Sequence, residues 1–224
     1  MPFESLSGRA FYRCSHWTTF YAFTFGWSLR VQGREHLPRT GPYLLVSNHQ
    51  SFIDPILVGA GATRALTYLA RNNLWKNPKL AYLINWWGAV PIDRGFGKEG
   101  LQTVKGELDK GKAVLMFPEG ERTHTGEVQP LKPGVALLIK RITCPIIPVG
   151  ISGPYQAWPR TAKLPKLDPL VCSSRGRSFS VVFGPPIDPA SYAGLDREAI
   201  VADIEGSMRK VFDVANRIRR KAGT

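Results

Sequence analysis

The sequence predicts one α/β domain, a mostly parallel central sheet flanked by helices, with an aromatic helix at its N-terminus. Short, uniformly apolar runs bounded by turn residues recur along the chain, as strands buried on both faces do. Helix-period segments alternate with those runs, the pattern of crossover connections in a parallel sheet. The length of 224 residues and the 43% of hydrophobic side chains are enough to fill a single core.

From Phe11 to Trp27 the chain concentrates aromatics, Tyr12, Trp17, Phe20, Tyr21, Phe23 and Phe25 among them, between Arg9, Arg13 and Arg30. Its uncharged run, Cys14 to Leu29, is about 16 residues, short of the ~20 that a spanning helix needs, and it lacks the pattern of a signal peptide. Trp and Tyr favour the headgroup level of a bilayer, so residues 1–32 are expected to form an N-terminal membrane-interface segment and 33–224 the main domain. Packing of this helix into the core is the competing expectation. Phe23, Phe25, Trp27, Leu29 and Val31 alternate with strand period, which predicts that the helix ends near Phe23.

Tyr43-Leu44-Leu45-Val46 reads as a buried strand, and Asp54-Pro55 as the N-cap and first turn of a short helix. His49 falls in the loop between them. On one continuous helix the five-residue offset from His49 to Asp54 would set the two side chains roughly 140° apart, so only a loop that curls back unites them. Leu66 to Ala70 is a second strand, followed by Arg71 and a helix from about Pro78 to Trp87. A short strand from Gly88 ends in Asp93-Arg94, where a guanidinium could grip a phosphate through its fork.

Gly97 to Lys110 carries Leu101, Val104 and Leu108 at helical spacing, and Ala113 to Phe117 is the third buried strand. It runs into Pro118-Glu119-Gly120-Glu121-Arg122-Thr123, a turn whose open backbone N–H groups and Arg122 suit an anion. A helix opens at Leu131 to Gly134, Ile146 to Ile151 is the fourth buried strand, Phe179 to Phe183 alternates like an edge strand, and a last amphipathic helix begins near Asp196. Sites in such sheets lie at the carboxyl ends of the strands.

The net charge of +13 calls for an anionic partner: nucleic acid, an anionic lipid surface or a phosphorylated substrate. Three cysteines, Cys14, Cys144 and Cys172, too few and too scattered for a disulfide framework or a zinc site, suit a reducing compartment. No metal or cofactor is expected.

Four of these stretches, in order, resemble the motifs of the glycerophospholipid acyltransferase family. They are Asn48-His49 with Asp54; Gly88 to Arg94; Phe117, Pro118, Glu119, Gly120 and Arg122; and Ile146 to Ile151, the likeness covering about Gly33 to Gly153. The resemblance implies transfer of a fatty acyl group from an acyl thioester, on coenzyme A or acyl carrier protein, to the hydroxyl of a lysophospholipid. Lysophosphatidic acid is the first expectation, another lysolipid or glycerol-3-phosphate the alternative. It implies His49 as general base, Asp54 as its orienting partner, and Arg94, Glu119, Gly120, Arg122 and Arg71 as ligands of the phosphorylated acceptor.

The chemistry agrees, because an alcohol is a poor nucleophile until a base takes its proton and an imidazole titrates near 6.5 when unperturbed. No Gly-x-Ser-x-Gly elbow is present to supply a nucleophile, so direct transfer is expected. Glu121 and Thr123 depart from the family's usual Thr and Ser, and a carboxylate beside Arg122 puts the acceptor's head group in question. The expected setting is the cytoplasmic face of a membrane, peripheral or monotopic, with no nucleic acid bound. The rival reading is a non-catalytic basic protein that binds membrane or nucleic acid.

Overall fold

Four apolar runs become adjacent strands because each is covered on both sides. In the computed structural model, which describes residues 6–92 and 97–221, they are β2 (Tyr43–Ser47), β3 (Leu66–Arg71), β5 (Ala113–Met116) and β6 (Ile146–Ser152). With β1 (Arg30–Gln32), β4 (Ala89–Ile92) and β7 (Ser180–Phe183) they form a seven-stranded sheet of order β1-β7-β6-β2-β5-β3-β4. Every neighbouring pair is parallel except β6 with β7. The carboxyl ends of β2 to β6 therefore share one edge.

Alternate residues feed two cores. Tyr43, Leu45, Leu115, Phe117, Ile147 and Val149 face a layer containing Phe23 of α1 (Leu6–Trp27) and Leu57 and Val58 of α2 (Asp54–Gly61). Leu44, Val46, Val114, Met116 and Ile146 face the other layer, built by α4 (Lys98–Asp109), α5 (Gly134–Ile139) and α7 (Arg197–Ile218). Between β3 and β4 lies α3 (Pro78–Trp86), and after β6 the short α6 (Pro154–Ala157). Asp196 caps α7, its carboxylate accepting from Ala199 N at 2.7 Å. Ile204 and Met208 of α7 are fully buried, each stabilising the fold by roughly 1.5–3 kcal/mol. The helix lies so close to β6 that a Cβ on Gly150 would meet Val211 O at 2.3 Å, so only glycine fits there.

Three expectations need correction. The N-terminal helix does not stop near Phe23 but continues to Trp27, and the strand it leads into is only Arg30–Gln32. That strand pairs with β7, and Phe23 and Leu29 enter the core. Second, β7 is not an edge strand: it lies buried between β1 and β6. Third, Asp54 does not cap α2, whose N-cap position is Ile53; Asp54 is the first helical residue and its carboxylate turns back onto the loop before it.

Candidate active site at the carboxyl edge of the sheet

Where β2 ends, the Asn48 side chain continues its pairing with β6: Nδ2 donates to Ile151 O at 2.9 Å, and Oδ1 accepts from Ile151 N at 2.8 Å. The backbone is thereby free to leave the sheet at His49 without orphaning the β6 groups. Both main-chain groups of His49 are tied to the loop after β5. His49 N donates to Glu119 Oε1 at 3.2 Å, and its carbonyl accepts from Thr123 N at 2.7 Å. The imidazole stacks on Phe117, with ring centroids 4.1 Å apart and planes 21° from parallel.

The curled loop does unite the pair. His49 Nδ1 lies 2.8 Å from Asp54 Oδ2, and the same oxygen accepts from Gln50 N at 2.5 Å and Ser51 N at 2.7 Å. An oxygen that already accepts from two backbone N–H groups offers no proton of its own, so Nδ1 must be the donor of the pair and the lone pair is left on Nε2. Asp54 is fully buried while the His49 side chain keeps 19% of its surface exposed. The carboxylate is dry and the imidazole is reachable.

Glu119 is 2% exposed. Burial pushes its carboxyl up to about 8, against the His49 N–H that pulls it down, and through that N–H it braces His49 from the neighbouring strand's loop. Gly120 makes the turn possible with φ of 78°, a left-handed conformation that favours glycine. Arg122 is half-buried, its guanidinium 5.6 Å from the centroid of Phe52. Burial lowers its pKa, as do the nearby charges of Arg160 and Arg71, and Asp54 opposes them. Arg71 is exposed at the end of β3, on the same edge. Arg94 lies outside the described residues.

Glu121 does not spend its charge on Arg122. Arg160 Nη1 donates to Glu121 Oε2 at 3.2 Å and to Arg122 O at 3.2 Å, and lies 3.1 Å from His124 Nε2. Thr123 acts as a hub: its Oγ1 accepts from Thr125 N, Gly126 N and Gln129 Nε2. Gln50 and Arg160 escaped the sequence reading, and Phe117 entered it only as a motif residue without a role. Gln50 bridges Gly126 O, at 2.6 Å, and Tyr155 N, at 3.4 Å, and no spacing pattern announces such a strut. The Phe117 stacking had one signal, an aromatic at the end of a buried strand before the charged turn.

The nearby hydroxyls are committed to the backbone: Ser47 Oγ donates to Asn48 O at 3.0 Å and Ser51 Oγ to Trp158 O at 2.8 Å. The arrangement offers a base, its orienting carboxylate and a cationic approach. Among the described residues no three His, Cys, Asp or Glu side chains are grouped to hold a metal ion.

A model of the family described as Acyltransferase matches residues 28–152. The chain is 29% identical over 196 residues to 1-acyl-sn-glycerol-3-phosphate acyltransferase alpha of Mus musculus, an alignment covering 85% of this chain and 65% of that protein. It is 32% identical over 133 residues to the 1-acyl-sn-glycerol-3-phosphate acyltransferase of Saccharomyces cerevisiae, covering 57% and 44%. The chain thus spans less than two thirds of the length of these relatives. In fold it is similar to the crystal structure of the 1-acyl-sn-glycerophosphate acyltransferase PlsC from Thermotoga maritima, with a TM-score of 0.75 at 20% identity over 92% of this chain and 80% of that one.

Proposed function

Matched by its family's model over more than half of its 224 residues, the chain belongs to the acyltransferase family, and on that premise we propose that it acylates a lysophospholipid. The acceptor we infer is 1-acyl-sn-glycerol-3-phosphate, the substrate in its relatives' names, and the donor is an acyl thioester of coenzyme A or acyl carrier protein. The observation that carries the reading is the 2.8 Å contact of His49 Nδ1 with Asp54 Oδ2.

In the proposed reaction Nε2 of His49 takes the proton of the acceptor hydroxyl as its oxygen attacks the thioester carbonyl. Asp54 stabilises the imidazolium that forms. The carbon–sulfur bond breaks, the thiolate leaves with the proton returned by His49, and the ester remains on the glycerol. The committed hydroxyls of Ser47 and Ser51 support direct transfer without an acyl-enzyme. Arg122 and Arg71 are the proposed contacts for the acceptor's phosphate, joined by Arg94, and Gly120 shapes the turn that presents Arg122. Glu119 serves them by holding the His49 backbone, and its neutral form spares the phosphate a repelling charge.

No helix among the described residues is long and apolar enough to cross a membrane. The setting we propose is the surface of an anionic, cytoplasm-facing leaflet, reached through α1. Trp17, Tyr21 and Phe25 are each at least half exposed and form a ladder: Trp17 stacks on Tyr21 with centroids 6.0 Å apart, and Tyr21 on Phe25 at 6.4 Å. Arg13 stands one turn before them, exposed. The deciding experiment is His49→Ala assayed with labelled acyl-CoA and a panel of lysolipids. The expected loss is about 10² to 10⁴ in rate with folding intact; turnover equal to the parent's rejects the mechanism.

A further inference from the structure

Between α6 and β7 the chain runs from residue 158 to 179 without a helix or strand. Structureless connections of that length are uncommon in compact domains and tend to be functional or disordered, and this one is held too firmly for disorder. Asp168 N donates to Gly26 O at 3.0 Å, Leu170 N to Phe25 O at 3.0 Å, and Trp27 Nε1 to Lys166 O at 2.9 Å. The buried Asp168 carboxylate accepts from Arg175 N, Arg177 N and Ser174 Oγ. Arg220, two residues past the end of α7, closes the segment down, donating to Leu170 O at 3.0 Å and Cys172 O at 2.7 Å.

This strap exposes apolar side chains that a rigid loop would be expected to hide. Leu164 is 76% exposed, Leu167 53%, Leu170 43% and Val171 88%. Single exposed apolar residues are ordinary, but a contiguous patch marks an interaction site. The strap is tied to the end of the aromatic ladder, because Leu170 N donates to the carbonyl of Phe25, the last rung. Apart from Arg160, which pairs with Glu121, the charges that reach its surface are all of one sign, Lys163, Lys166, Arg175 and Arg177, because its one acid, Asp168, is buried. A second copy of a chain carrying +13 would be repelled there; an anionic bilayer would be attracted. The strap also starts at the site, since Trp158 lies 6.5 Å from Phe52 by ring centroids and Phe52 carries Arg122 on its face.

We propose that residues 158–178 are a second membrane-docking element, which inserts Leu164, Leu167, Leu170 and Val171 into an anionic lipid surface beside the α1 ladder. The proposal rests on the membrane seating put forward above for α1 and adds a separate part to it. Two docking elements fix the tilt of the protein on the surface, and the strap brings the Phe52 and Arg122 approach to His49 down to the headgroups, where a lysolipid acceptor resides.

The test is flotation of the full chain with vesicles of phosphatidylcholine alone or mixed with phosphatidylglycerol. Leu164→Asp/Val171→Asp alters the two most exposed strap residues, which leaves the core untouched; Trp17→Ser/Tyr21→Ser/Phe25→Ser alters the ladder. The parent is expected to float with the mixed vesicles and more weakly with phosphatidylcholine alone. The strap variant should lose roughly 10-fold in partitioning per residue changed, while its melting temperature and its turnover of short-chain, water-soluble substrates stay at the parent's level. A strap variant that floats like the parent, while the ladder variant does not, overturns the strap proposal and leaves the α1 seating standing. A parent that does not float overturns both. If light scattering shows a parent dimer that the strap variant dissociates with flotation unchanged, the patch joins copies of the chain and the proposal fails.

Discussion

Replacing Asp54 by Asn tests the machinery of the base without changing its shape. Oδ2 holds three donors, His49 Nδ1, Gln50 N and Ser51 N, while Oδ1 is buried with no hydrogen-bond partner among the described residues. In Asp54→Asn the amide oxygen must take the Oδ2 place, since an NH2 group there would face three donors. The tautomer of His49 therefore survives, unlike a replacement that lets the ring turn over. What is lost is the negative charge beside the imidazolium. For unit charges ~4 Å apart at an effective dielectric constant of about 20 that interaction is about 4 kcal/mol, so kcat is expected to fall about 10³-fold. KM should hardly move, because Asp54 is buried away from substrate. The NH2 group left at the Oδ1 position finds no acceptor and costs about 1–3 kcal/mol of stability, read as a lower melting temperature. The assay is steady-state acyl transfer from labelled acyl-CoA on the folded variant. A kcat within a few-fold of the parent's would refute the idea that Asp54 acts electrostatically on His49.

Glu119→Gln tests the buried acid. The folded protein holds the Glu119 proton up to about pH 8, whereas the unfolded chain releases it near the ordinary 4.5. The folded state therefore binds more protons between those values, and stability falls as pH rises through that window and levels off above it. The full difference is on the order of 5 kcal/mol, and denaturant titrations at pH 5 and 9 should show a slope in the parent that Gln abolishes; equal slopes refute the neutral acid. Arg160→Ala frees the Glu121 carboxylate beside Arg122, so KM for a phosphorylated acceptor should rise several-fold at unchanged kcat. Adding Glu121→Thr should restore it, and additive effects in the double variant would show that the pair is not coupled. For the α1 seating, Trp17→Ser/Tyr21→Ser/Phe25→Ser is a cleaner probe than deleting residues 1–29, because the deletion would strip Phe23 and Leu29 from the core; undiminished flotation of the triple variant rejects the seating.

The strands that carry the site were legible because β2, β5 and β6 are covered on both faces and so read as unbroken apolar runs. β7 misled for a local reason. Ser180 sits at a position that looks like a solvent-facing member of an alternating edge strand, yet it is fully buried and its hydroxyl donates to Ala215 O of α7 at 2.6 Å. A buried serine satisfied by a helix carbonyl mimics a surface one, and sequence offers no means to tell them apart. Asp54 misled similarly. An Asp before Pro at the start of a helix has the pattern of an N-cap, but the donors it takes, Gln50 N and Ser51 N, belong to the loop behind it. The curl that the His49 reading required is made by those same amides.

The side of the sheet on which the base opens was not legible at all, and it follows from strand parity. Phe117 continues the set of Leu115 into the layer that holds Phe23, Leu57 and Val58, so the ring stacked on Phe117 lies at the rim of the layer that contains α1 and α2. The opposite layer, closed by α4, α5 and α7, has an apolar core that runs from Leu44 and Val46 of β2 to Ile204 and Met208 of α7. A one-residue shift of β5 would have turned Met116 toward His49 and buried Phe117 under α4. Parity thus joins the proposed base to the helix that carries the exposed aromatic ladder, so in the seating proposed for α1 a water-insoluble acceptor would reach Nε2 from the lipid-facing side.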